Sequence, residues 1–79
     1  MRDLLLHILR ALVQHPDALD ITRVDGEQTT FFELRCHPDD VGIIIGKNGK
    51  TISALRVLLN ALAGRDDRKA VVEVIEPSS

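Results

Sequence analysis

Gly46-Lys47-Asn48-Gly49, followed at once by Lys50, is the stretch of this 79-residue chain whose residue types and spacing suggest chemistry. Two glycines three apart leave a turn without Cβ atoms, so a ligand can approach its backbone closely. Apolar periodicity predicts a short helix before the turn, over residues 41–45, and a longer one after it, over residues 50–63. The start of the second helix offers unpaired N–H groups and the positive end of its dipole. Lys47 and Lys50 add two ammonium groups at the same place. Together these features describe a cradle for a phosphodiester. Lys50 opposes the helix dipole from the first turn, a cost that a bound phosphate would offset.

Other chemistries fall short. Gly49-Lys50-Thr51 ends like a P-loop, but that pattern requires glycine where Ile44 stands. Cys36 shares the alternation of the apolar residues, as an inert buried thiol does, and His37 falls on the opposite strand face. The two therefore do not form a nucleophile–base pair. His7, His15, Cys36 and His37 are too scattered to suggest a zinc site, and His7 and His15 read as decoration of the first helix. No enzyme, metal or cofactor is expected. A single cysteine excludes an internal disulfide framework and fits a reducing compartment, so the expected location is cytoplasmic.

Net charge is −2, which on its face argues against a polyanionic partner. The distribution differs from the total. Residues 1–40 carry four basic and eight acidic side chains, residues 41–65 four basic and none acidic, and residues 66–79 two basic and four acidic. An acid-free basic segment is a local field that attracts anions whatever the overall charge. On charge alone, an ordinary solvated face is the simpler reading.

Six elements must position the turn. Residues 2–14 place Leu4, Leu5, Ile8, Leu9, Leu12 and Val13 at helical spacing, and Pro16 ends that helix near His15. Residues 21–25 and 29–36 read as a β-hairpin around Asp25-Gly26, with positive φ supplied there. In the second strand Phe32, Leu34 and Cys36 face a core while Glu33 and Arg35 face water. His37-Pro38-Asp39-Asp40 breaks the strand, and Asp39 or Asp40 is the expected N-cap of the short helix. Gly64 is expected to stop the long helix, residues 65–68 form a polar turn, and residues 69–75 make the last strand. The fold class is α+β, in the order α-β-β-α-α-β, with a three-stranded mixed sheet and helices packed on one face. One domain over residues 1–76 and a flexible tail at 77–79 complete the layout.

Around the long helix, residues turn by about 100° each. Ile52, Leu55, Leu58, Leu59 and Leu62 form a core stripe. Ser53, Arg56 and Asn60 form a polar stripe that starts beside the turn, so Ser53 and Arg56 can reach a chain held there. Pairing of Arg56 with a surface acid is the alternative. Ala54, Val57 and Ala61 extend the apolar arc further, either as helix-favouring filler or as a two-fold helix contact between copies. Phe31 and Phe32 are the only aromatics, and Phe32 falls in the core, which argues against a base-stacking platform.

The pattern Ile44-Ile45-Gly46-Lys47-Asn48-Gly49-x-x-Ile52 resembles the core signature of the KH domain, whose GXXG loop clamps four nucleotides of single-stranded nucleic acid. Across residues 2–76 the element order resembles the type II, prokaryotic arrangement, and the size resembles the small bacterial single-KH proteins of the KhpA type. The resemblance implies a groove for single-stranded RNA in which Gly46, Lys47, Asn48 and Gly49 meet phosphates. Bases would then lie on an apolar floor near Gly42 and Ile45, beside Lys50, Ser53 and Arg56. Ile45 reads equally well as plain core. The resemblance further implies a homodimer, a larger KH-containing partner, and a role as RNA chaperone or post-transcriptional regulator. The rival reading is a dimerisation or docking module whose groove is vestigial. Membrane insertion is not expected, since no apolar run approaches the ~18 residues of a span.

Overall fold

The computed structural model describes residues 1–76, so the tail expected at 77–79 lies outside the described residues. The elements are α1 (Arg2–Leu12), β1 (Asp20–Asp25), β2 (Thr29–Arg35), α2 (Val41–Ile45), α3 (Lys50–Gly64) and β3 (Lys69–Ile75). The sheet order is β1-β2-β3, with β1 antiparallel and β3 parallel to β2. The sheet is therefore mixed, and the order α-β-β-α-α-β matches the expected type II KH arrangement. Parallel neighbours need a crossover rather than a hairpin. Here α2, the glycine turn and α3 make that crossover.

Alternation along the strands decides what faces the helices. Ile21 pairs with Leu34, Phe32 with Val72, and Thr30 with Ala70 on the inner face, and all six are buried. The helices close that face with Leu5 and Leu9 of α1, Ile44 of α2, and Ile52, Leu55, Leu59 and Ala63 of α3. Cys36 is buried as expected. Leu58 is not: it remains 40% exposed, because α1 leaves the far flank of α3 uncovered. Leu62 is partly buried against the core.

Several boundaries differ from expectation, each through a contact made at a distance. Residues 13 and 14 leave the first helix: Val13 is extended, and the N–H groups of Gln14 and His15 donate to Asp40 at 3.0 and 2.9 Å. The same bonds explain why Asp40 does not cap α2, whose start has no side-chain cap. Its carboxylate is fully buried and already committed. His37 Nδ1 instead accepts the Asp39 N–H and opens a 3-10 turn over Pro38–Asp40. Asp20 joins β1, and Cys36 falls outside β2.

Gly26 does not have the positive φ expected of it. The hairpin has a three-residue connection, closed by Gly26 N–H on the Thr29 carbonyl at 2.7 Å. Arg68 secures it by donating to the Gly26, Glu27 and Thr29 carbonyls and to Thr30 Oγ1. Gly64 is the last residue of α3, as expected, but it does not take the left-handed conformation of a glycine cap: Asp67 does, at φ 54°, and Arg68 N–H returns to the Ala63 carbonyl. Asp tolerates that region because its short polar side chain can bond locally.

Burial pushes the Asp40 carboxyl up. The two amide bonds and the nearby imidazoles of His15 and His37 outweigh that and hold it below the usual carboxylate range. A depressed carboxylate stabilises the fold above about pH 4, the ordinary value for Asp, and the contribution is lost as pH falls through the lower folded value. Urea unfolding of wild type should therefore weaken steadily below about pH 4. Asp40→Asn should be less stable at neutral pH and respond less to acid. An equal acid response in the variant would assign the effect to other carboxylates, Asp25 foremost.

Candidate functional site

The glycine turn is a corner in the crossover, and its backbone shows why it has this composition. Gly46 has φ 78° and ψ 169°, Asn48 φ 57°, and Gly49 φ 73°. The Gly46 conformation is essentially reserved for glycine, whereas Asn48 sits in the left-handed well that Asn tolerates. Space excludes a side chain at position 46 as well. A Cβ there would lie 2.2 Å from Thr51 Oγ1 and 2.8 Å from the Thr51 nitrogen. At Gly49 a Cβ would meet nothing, so only its φ disfavours substitution. Gly46 N–H closes α2 on the Gly42 carbonyl at 2.8 Å, and its own carbonyl accepts from Gly49 N–H at 3.1 Å. Two hydrogen bonds thus fix both sides of the bend.

Immediately after the bend α3 begins at Lys50 with no side chain capping it, although the Lys50 N–H itself donates to the Lys47 carbonyl. Lys47, Asn48 and Lys50 are exposed, and among the described residues neither lysine pairs with a carboxylate. Two unpaired cations, an uncapped helix start and a bend with glycine at both ends meet at one corner. Such a corner attracts and fits an anion.

The flanking residues divide by face. Gly42 is exposed with open space around its Cα, and Ile45 is half-buried against the core, so it is part floor and part core. Ser53 and Arg56 follow Lys50 along α3 on the same exposed side. The Arg56 guanidinium takes a carbonyl rather than an acid: Nε and Nη2 donate to Val72 O at 3.3 and 3.2 Å. Asn60, one turn on, donates to Ala70 O and accepts Ala70 N–H at 2.9 and 3.0 Å. The polar stripe of α3 therefore lies along the outer edge of β3 and satisfies backbone groups there that no strand pairs. These acceptors could not be read from the sequence, because only the crossover brings α3 beside them.

The face of α3 turned away from the core, beside the polar stripe, is apolar and open. Ala54, Val57 and Ala61 are all exposed, Val57 by 72%, which leaves both readings, helix-favouring filler and a contact between copies, in place. Beside them a cleft of about 410 Å³ runs between α1 and α3, lined by Ile8, Leu12, Lys50, Thr51, Ala54, Leu55 and Leu58. Lys50 thus borders both this cleft and the turn.

Two further groups lie elsewhere. Burial, with the Asp40 charge behind it, pushes the Cys36 thiol up, which suits an inert core residue. His15 is not on the first helix. It stacks on His37 with ring centroids 3.9 Å apart, next to Asp39, a juxtaposition that sequence distance concealed.

Comparison with known proteins agrees with this geometry. The KH-domain model of KhpA and KhpB matches residues 2–74. The RNA-binding protein KhpA of Caldanaerobacter subterraneus subsp. tengcongensis is 37% identical over 75 residues, covering 95% of this chain and 100% of its own. That of Clostridium acetobutylicum is 39% identical with the same coverage, and that of Chlamydia caviae 41% over 76 residues, 96% of this chain and 97% of its own. No solved structure matches the chain.

The corner itself is testable by stability. Gly46→Ala should cost about 3 kcal/mol or more, from the glycine-only backbone together with the collision at Thr51. Gly49→Ala should cost about 1–2 kcal/mol and Gly49→Asn less, since only φ is at stake. Urea unfolding checks the order, and equal losses at the two glycines would refute the steric account of position 46.

Proposed function

Since the chain belongs to the KhpA/KhpB family of KH domains, we propose that it binds single-stranded RNA, its GKNG loop clamping the backbone of about four nucleotides. The corner at Gly46–Gly49 carries this reading, because it joins close backbone approach, a helix start without a side-chain cap and two unpaired lysines. Gly46, Lys47, Asn48 and Gly49 contact phosphates. Gly42 and Ile45 lie under the bases, and Lys50, Ser53 and Arg56 line the side of the groove. Arg56 enters it already oriented by Val72 O. The printed names of the relatives, RNA-binding proteins, support the same partner. No catalytic constellation enters the proposal.

A site of four nucleotides binds weakly, in the micromolar range or about −8 kcal/mol. Weak, reversible contact suits a cytoplasmic RNA chaperone or post-transcriptional regulator. The exposed face of Ala54, Val57 and Ala61 complements it as a two-fold contact, since two linked grooves raise effective concentration without new RNA contacts. The same face would serve a larger KH-containing partner. It also favours the second reading, a docking module in which the groove is idle.

Anisotropy titration of labelled single-stranded RNA separates the two. Lys47→Asp/Asn48→Asp should abolish binding while leaving circular dichroism unchanged, and log K against log salt should fall with a slope of roughly −2 for about three neutralised phosphates. Parent-like binding by the double variant would leave only the docking module. Independently, Val57→Lys should shift sedimentation from dimer to monomer and weaken binding to long RNA more than to a tetranucleotide. A dimer that survives the lysine must use another face.

A further inference from the structure

His15 and His37 come from connections distant in the chain, and nothing in the proposed RNA site uses them. Their rings stack at 3.9 Å with planes 22° apart. Asp39 Oδ2 lies 3.8 Å from His15 Nε2 and 3.7 Å from His37 Nδ1. The donor atoms of the three residues all fall within 4.8 Å of one another. A point equidistant from three atoms so spaced lies within about 2.5 Å of each. Zinc bonds to nitrogen and oxygen are about 2.0–2.2 Å, so the spacing brings the three donors within reach of one ion once a ring reorients.

We propose that His15, His37 and Asp39 bind a divalent transition ion of the zinc type, with water completing the coordination. Two imidazoles and one carboxylate suit a borderline ion, whereas magnesium and calcium take oxygen donors. The backbone holds the donors in place before the ion arrives. His15 N–H is fixed on the buried Asp40 carboxylate, and His37 stands two residues past β2, where the 3-10 turn begins. Coordination has two local costs. Stacked rings direct their lone pairs in nearly parallel planes, so one ring must turn, and His37 Nδ1 must release the Asp39 N–H it now accepts at 3.1 Å. These costs set the affinity in the micromolar range rather than tighter. The bound ion would pin the α1–β1 connection to the turn that opens α2, the helix that ends at Gly46.

Zinc chloride alone, titrated into the full chain without RNA, tests this by calorimetry and thermal unfolding. One ion per chain with a Kd near ~10 µM should raise Tm by about 5 °C or more at ~100 µM zinc. His15→Asn and Asp39→Asn should each weaken binding at least about tenfold while keeping the metal-free circular dichroism of wild type. Cobalt chloride should give d–d absorption without a sulfur-to-metal band, which separates this site from Cys36 exposed by unfolding. No saturable binding by ~1 mM zinc, wild-type affinity in both variants, a thiolate band, or an equal response to magnesium chloride would each overturn the assignment.

Discussion

Parallel strands cannot be joined by a tight turn, and that restriction on β2 and β3 organises the molecule. The chain leaves β2 at Arg35 and must re-enter alongside it at Lys69, running in the same direction. It does so through two helices, and between α2 and α3 it has only a few residues in which to change course. A corner that abrupt uses backbone conformations closed to most side chains, which is why Gly46, Asn48 and Gly49 occupy it. The glycine corner is therefore not an insertion on a finished fold. It is the corner that parallel pairing demands, and no side chain caps the helix that starts there.

The long helix serves three surroundings at once. One face fills the core through Ile52, Leu55, Leu59 and Ala63. A second, with Arg56 and Asn60, completes hydrogen bonds along the outer edge of β3, so that edge is not left as a template for another strand. A third, with Ala54 and Val57, remains apolar and exposed. Asp40, at the start of the short helix, performs a comparable service for the chain that follows α1. By holding the amides of Gln14 and His15, it ends α1, orders the connection that follows and brings His15 onto His37.

How far sequence reading succeeded follows from the range of each interaction. Alternation at Phe32, Leu34 and Cys36 reveals the buried strand face, and apolar spacing reveals both long helices, because those patterns repeat within a few residues. The GKNG corner is legible for the same reason. Gly26 misleads, since Arg68 secures the hairpin without a positive φ there, and at the end of α3 the left-handed residue is Asp67 rather than Gly64. Leu58 misleads because helical spacing shows which residues share a face but not how wide a partner covers it.

By itself the sequence determined the element order, the α+β class, the corner between two helices and the family resemblance, all of which depend on local conformational preference and short-range periodicity. Only the tertiary structure decided that Asp40 receives two amides from beyond α1, that Arg56 grips Val72 rather than an acid, and that His15 lies on His37. Those partners are separated by many residues. Their meeting depends on the path the chain takes back across its own sheet, a path that no local pattern encodes.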